Sequence, residues 1–514
     1  MEKHSVVSSI IERMKRQMLK HRNLKKCADS MADMVNNSQE QAPILPRQPD
    51  KWLVFSLVAV GVFMSTLDSS IVNIALPVIM DDFQVSLSVI EWVPVIYLLT
   101  ISSLLLTFGR LSDIEGKKLV YCLGFIFFSL GSLLCGLAAS AEWLIAARSF
   151  QGVGAAMIMA CSPALVVDTF PVKERGRALG MVGTVVAAGL TTGPALGGLI
   201  LEHFSWPVIF FINIPIGAAA TIAASIILKQ VGENRSKEPH DCTGAVLLVV
   251  CLGSLLTGLT HIYDWGSLSS GTVICFTVFI ATGLLLVRIE TRTTYPIFDP
   301  SLLKIRLFSL PVLSAIIMFD SLFTMTFLMP FYLVHPMGFP MDRVGGVLMI
   351  PFLFLFFVSP ISGALSDRIG SRLLCTLGMA AMSASLFMLS CLSSSATIMD
   401  IAWRLALAGI AIGIFISPNS AVAMSAVPAH RRGIASGSVA TARNLGMVIG
   451  VALSGLIFNS VFRSLSGGLD LKVYRPEMEP CFMAAFQTAM RVGAGVAAIG
   501  VVVAYLRGNE RKQE

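Results

Sequence analysis

Polar and apolar positions in this chain come in blocks rather than in alternation. From about residue 52 to about residue 506, apolar runs of some twenty residues recur between short polar connections. The run 119–139 contains no charged residue at all. A hydrocarbon layer of ~30 Å needs about 20 apolar residues in a helix, so each block has the length of one crossing. The blocks read as spans at 53–79, 89–109, 119–139, 143–167, 177–201, 206–228, 243–261, 271–289, 309–334, 345–365, 373–393, 398–425, 434–460 and 484–506. Composition points the same way: with 55% hydrophobic and 13% charged residues over a length of 514, the chain cannot clothe a water-soluble surface. The expected class is an all-α polytopic membrane protein with fourteen transmembrane helices.

Charge orients the spans. Lys and Arg gather in every second connection, among them Arg110, Lys117, Lys118, Lys173, Arg175, Arg177, Arg368, Arg372, Arg431 and Arg432. The intervening connections hold only Arg343, Arg463, Lys472 and Arg475. Short basic loops stay in the cytoplasm, so both termini are expected there. The segment 1–51 is polar and basic and lacks the short apolar core of a cleavable signal peptide. Within it Val7, Ile10, Ile11, Met14 and Met18 recur at helical spacing among Arg13, Lys15, Arg16, Lys20 and Arg22. That pattern suits a helix lying on an anionic leaflet and equally a solvated tail. The net charge of +7 follows the loops, and no nucleic-acid module accompanies it. Of ten cysteines only Cys481 falls in an outward connection, which argues against a disulfide framework.

The chain repeats itself. "GRLSDIEGKK" (Gly109 to Lys118) returns as "GALSDRIGSR" (Gly363 to Arg372), "ERGRALG" (Glu174 to Gly180) as "RRGIASG", and Arg148 as Arg404, at offsets of 254 to 257 residues. Two related six-helix bundles are implied, at 52–228 and 309–506, with an inserted helix pair and its linkers at 229–308 and a tail at 507–514. Parallel halves around a midplane site are one way to build alternating access.

Several stretches carry chemistry. Gly109, Leu111, Ser112, Asp113, Gly116, Lys117 and Lys118 combine glycines that allow a turn with an Asp that can accept from a helix N-terminus or an Arg. Asp367 repeats the carboxylate. In "LIAARSFQGVGAA" Gln151 and Gly152 follow Arg148 at i+3 and i+4, on one helical face. In "GLTTGPALGGLI" Gly189, Gly193 and Gly197 are spaced four apart and form a flat stripe; Pro194 favours a bend, and Gly198 completes the GG pair. "LDSSIVNIALP" and "FFINIPIG" are two further distinctive runs. Together these resemble the motifs of the major facilitator superfamily, in its fourteen-span drug:proton antiporter branch, and the resemblance covers nearly everything after residue 50. In that family the Asp motif is a latch whose breaking frees the inner gate. The chain departs at Ile114 and Glu115, where a basic residue usually follows the Asp, so the latch is either weaker than usual or completed by Arg175 or Arg177. It departs also at Ser70, which replaces a Thr, and at Pro207, which replaces an Arg. The second-half counterpart of the glycine stripe, "NLGMVIGVALSGL", lacks the GP–GG pattern, which implies a role special to the first half.

Charges inside spans are costly, roughly 2.5–3.5 kcal/mol at a helix centre on insertion scales, and mark functional sites by default. Asp68 lies mid-span, and helix rise puts Arg148 at a similar depth. The resemblance and the burial together make Asp68, Asp320 and Arg148 the expected proton- or substrate-coupling set; the bland alternative is an Asp68 held permanently by Arg148 or by hydroxyl and backbone donors. Glu91, beside Trp92, is expected at the water-accessible rim. Arg404 and Arg491 read as snorkelling cations, and Arg443 also falls within a span. The segment "FRSLSGGLDLKVYRPEMEP" is long for a connector and reads as a lid or as a plain loop. His203, His261 and His335 stand near outward span ends, where they sense pH or simply pack.

The expected function is proton-coupled export of small lipophilic, often cationic compounds across a cell (inner) membrane. The coupling ion is the proton, with no cofactor and no metal; the partners are the small solutes, the bilayer and, in a Gram-negative cell, a periplasmic adaptor and outer-membrane channel. The runner-up is transport of one physiological solute on the same scaffold. No metal-ligand cluster, phosphate loop or nucleophile–base set supports an enzyme.

Overall fold

The computed structural model describes residues 50–171, 174–228, 242–265, 269–292, 300–427 and 432–508. The basic segment 1–49, the linker 229–241, and the side chains of Asp113, Arg177 and Asp367 lie outside the described residues. Fourteen long helices account for most of the rest: α1 (Lys51–Phe83), α2 (Trp92–Glu115), α3 (Lys117–Gly136), α4 (Ala141–Thr169), α5 (Arg175–His203), α6 (Asn213–Ile227), α7 (Cys242–Trp265), α8 (Ser270–Glu290), α9 (Arg306–Val334), α10 (Met341–Ile369), α11 (Ser371–Leu389), α12 (Ile398–Ser425), α13 (Arg432–Leu465) and α14 (Glu479–Leu506). Each expected span coincides with one helix, its ends shifted by a few residues. Thirteen of the described helical segments are long and apolar enough to cross a membrane, and α7 adds the shorter apolar stretch Val246–Leu259.

Local chemistry sets the helix ends. Gly116, the single residue between α2 and α3, has φ +99°, and Gly370, between α10 and α11, has φ +83°. Only glycine enters this region without penalty, so the repeated motif's second glycine is a turn requirement. Its first glycine is not: Gly109 lies within α2, and a Cβ there would meet nothing within 4 Å. At the far end of the bundle Thr397 and Asp400 form a reciprocal capping box that starts α12. Cys391, expected within a span, falls beyond the end of α11 and is exposed.

Helix contacts repeat along the chain. α1 packs on α5, α2 on α4, and α3 on α4 and α6; eight helices later α9 packs on α13, α10 on α12, and α11 on α12 and α14. The halves meet along two seams, α5 against α10 and α2 against α13, with α1 touching α9 between them. The inserted α7 lies against both α2 and α13, and α8 packs on α7. Of α8's side chains only Thr272 and Glu290 are buried, so its apolar surface is left for lipid.

Small residues permit these approaches. A Cβ on Gly189 would overlap the Thr66 hydroxyl, one on Gly193 the Ser70 hydroxyl, and one on Gly197 would press on Ile71, so the stripe on α5 faces α1. In the second half Gly446 and Gly450 of α13 lie against the backbone of Ile316 and Asp320 on α9. Close approach through glycine is therefore common to both halves. What the first half adds is Gly198, which turns toward α10 and meets the backbone of Met341 and Gly345.

Candidate functional site

α1 carries Asp68 into an ionic node inside the first half. Arg148 Nη1 donates to Asp68 Oδ2, and both residues are fully buried. Gln151 Nε2 donates to Asp68 Oδ1 at 2.8 Å and Asn213 Nδ2 to the same oxygen at 3.1 Å. Gln151 is held by Ser132 of α3 at 2.8 Å, and its own carbonyl accepts from Arg148 at 2.7 Å. The guanidinium also donates to Val93 O at 3.3 Å and lies 4.0 Å from the Tyr97 ring centre. Five helices thus meet in one node, with α4 and α6 touching the carboxylate itself. Burial of a charged pair is repaid only by this density of donors; removing one partner of such a pair costs about 3–5 kcal/mol. Arg148 and Gln151 were legible from the i,i+3 spacing. Asn213 and Ser132 were not, although Asn213 lies in the run "FFINIPIG".

The second acid has a different setting. Asp320 is only 3% exposed, and neither carboxylate oxygen meets a hydrogen-bond partner among the described residues. The repeat equivalent of Arg148, Arg404, turns to Asp400 on its own helix, at 3.8 Å. Arg491 is exposed. Arg443 sits on α13 seven residues before Gly450, about 10 Å along the axis from the point where α13 touches the backbone of Asp320.

Glu91 is not at a water-accessible rim. It is 2% exposed, and a Cβ on Gly455 would fall on its Oε2, with Phe327 of α9 behind. The physical reason is Gly455: without a side chain there, α13 comes close enough to α2 to cover the carboxylate.

The turn motif binds its own half together. Lys117 pairs with Asp168 of α4, and Lys118 Nζ donates to Ser225 O at 2.7 Å, near the end of α6. Arg175 Nε donates to Phe170 O at 3.2 Å, holding the α4–α5 turn. Asp168 was not anticipated; the only signal was a lone acid near the end of a span.

Where α1, α5, α9 and α10 meet, the described residues leave little space between the halves. Ser70, Asn73 and Ile74 of α1, Pro194 of α5, Met325 and Thr326 of α9, and residues of α10 enclose a cavity of about 10 Å³, space for a single water. Pro194 O and the Gly198 backbone press directly on Gly345.

Beyond α9 the 466–478 connection folds back over its end. Leu471 is 1% exposed, and Tyr474 and Phe482 lie 5.0 and 6.2 Å from the His335 ring. Burial holds the His335 imidazole down at about 4, against 6.5 in water. The neutral form favours the docked loop, so docking is fully stable above about pH 6.5 and weakens as pH falls from there toward 4. Hydrogen exchange at residues 471–474 is expected to speed up over that window, and His335→Phe is expected to remove the dependence. His261 instead stacks on Trp265 at 4.8 Å, and His203 is exposed.

Two repeated helical halves that meet along seams, with acids buried inside their spans, are the architecture of a multi-pass membrane transporter. The chain belongs to the Major Facilitator Superfamily, whose family model matches residues 58–451, and it is a multi-pass transporter rather than an enzyme. It is 34% identical over 425 residues, covering 80% of this chain and 91% of the relative, to the riboflavin transporter RibZ of Clostridioides difficile. It is 33% identical over 409 residues to the multidrug resistance protein Stp of Mycobacterium tuberculosis, covering 79% and 75%. In fold it is similar to a bacterial homologue of the human lysosomal transporter Spinster, in an inward-facing and unoccupied conformation, with TM-score 0.64, 14% identity and 89% and 97% coverage.

Proposed function

We propose that the protein is a proton-coupled antiporter that exports small lipophilic, often cationic solutes across a cytoplasmic membrane, with its basic loops and both termini on the inner side. The observation that carries this reading is the pair of fully covered mid-helix acids, Asp68 and Asp320, one in each half of a molecule whose halves meet at tight seams. The likeness to a multidrug resistance protein supports drug-type solutes. Exchange of one proton for one monovalent cation moves no net charge, so a pH step of one unit supplies ~1.4 kcal/mol, roughly tenfold accumulation. A second proton per cycle would add the membrane potential, ~2.3 kcal/mol per charge at 100 mV. In a two-membrane cell a periplasmic adaptor and outer-membrane channel would extend the route.

The test is ethidium uptake into vesicles containing the purified protein under an imposed pH step. Accumulation is expected to approach the ~10-fold limit per pH unit and to vanish when an ionophore collapses the gradient. Uptake indifferent to the gradient would end the proton-coupled reading. A second reading, transport of one physiological aromatic solute, draws on the likeness to a riboflavin transporter. Gradient-driven movement of radiolabelled riboflavin, with ethidium neither moved nor competing, would favour it.

A further inference from the structure

Resting on the proton-coupled reading above, we propose a division of labour between the two buried acids: Asp320 binds and releases the transported proton, and Asp68 is a fixed strut that never leaves Arg148. Both carboxylate oxygens of Asp68 accept hydrogen bonds from side chains. Oδ2 takes Arg148, and Oδ1 takes both Gln151 and Asn213. A proton arriving there displaces a guanidinium with nowhere else to go, because Arg148 Nη2 is already buried without a partner. The change would disturb α1, α2, α3, α4 and α6 together. Protonation of Asp320 breaks no hydrogen bond, since no donor among the described residues meets either oxygen.

The repeat shows how this asymmetry arises. Arg148 spans the first half to reach the α1 acid, whereas its counterpart Arg404 is tied back to Asp400 on α12. Among the described residues no cation or second acid on the helices packed against α9 hydrogen-bonds to Asp320. α13 offers Arg443, two turns away along its axis; α14 carries Arg491, which is exposed, and Glu479 at its first residue. On α12 are Arg404 and Asp400, paired together, and on α1 is Asp68, already committed. α10 holds Asp342 and Arg343 in its first turn and Arg368 in its last; Arg372, at the start of α11, caps Tyr505 O at 2.9 Å. None of these meets the Asp320 carboxylate. α9 touches α1 of the other half, and Asp320's backbone lies against Gly450 of α13. Met325 and Thr326, just over one turn along α9, line the narrow cavity between the halves. When the halves rock apart at that level, a proton path to Asp320 opens without breaking a bond.

Two measurements on the full chain test the assignment. In the ethidium vesicle assay Asp320→Asn is expected to abolish accumulation, so that the roughly tenfold gradient per pH unit falls to simple equilibration. Asp320→Glu is expected to restore accumulation with a displaced pH profile, a rescue that a merely structural role would not show. An Asp320→Asn protein that accumulates ethidium like the wild type overturns the assignment. A wild type that fails to accumulate under the pH step overturns the antiport reading instead. The second measurement needs no variant. Dicyclohexylcarbodiimide enters membranes and adds only to protonated carboxyls, forming a stable acylurea. Mass spectrometry of labelled wild-type protein is expected to find the adduct on the peptide containing Asp320, reduced by excess ethidium, and none on Asp68. Labelling of Asp68 with Asp320 unmodified overturns the assignment.

Discussion

Arg148→Ala is expected to be the most destabilising single truncation in the first half, at about 3–5 kcal/mol. It leaves Asp68 fully buried and supported only by Gln151 and Asn213, and it empties the space beside Tyr97. Arg148→Lys should recover little, because a single ammonium cannot serve Asp68, Gln151 and Val93 O at once while stacking on an aromatic ring. Asp68→Leu combined with Arg148→Met should recover most of the stability, since well-packed apolar residues can replace a buried pair at little cost. Transport would remain lost in the double variant if the strut also sets helix geometry. The check is the thermal unfolding midpoint in detergent for the three proteins. Equal midpoints for Arg148→Ala and wild type would contradict the node described above.

Gly345→Val should have the largest effect on the seam. A Cβ at that position falls against Pro194 O and Gly198 Cα, both backbone atoms that no rotamer change can move aside. The two helices must withdraw, and α5 and α10 can no longer close. A cysteine at Leu348, 5% exposed and lining the narrow cavity, is expected to react several-fold faster with a water-soluble maleimide when Gly345→Val is present. Gradient-driven ethidium accumulation should fall toward equilibration because the barrier leaks. Gly183→Ala is the matched control: no atom lies within 4 Å of the added methyl group, and neither reactivity nor transport should change. Unchanged Leu348→Cys labelling in Gly345→Val would mean the seam is not a seal.

The elements were readable because a bilayer imposes one length on every crossing, and the apolar blocks carry it. The depth match of Asp68 and Arg148 followed from helix rise alone, and Gln151 from its place one turn along. The stripe Gly189, Gly193 and Gly197 reported the close approach of α5 to α1. The reading failed where the outcome depends on which helix arrives opposite. Trp92 beside Glu91 suggested an interface with water, but Gly455, far along the chain on α13, brings a helix over the carboxylate. In the same way Asn213 and Ser132 look ordinary in their own spans and matter only because α3 and α6 converge on α1. The turn glycines separated for a local reason: Gly116 needs its positive φ, and Gly109 sits in plain helix.

The α7–α8 pair makes a nearly two-fold molecule lopsided. α7 bridges α2 and α13, so that seam is roofed by an extra helix, while the described residues place no such cover on the α5–α10 side. An amphiphile dissolved in the bilayer therefore meets one flank already shuttered and the other bare. If the solutes are lipophilic, as proposed above, the bare flank is the one from which they would reach the contact between the halves without crossing the hairpin.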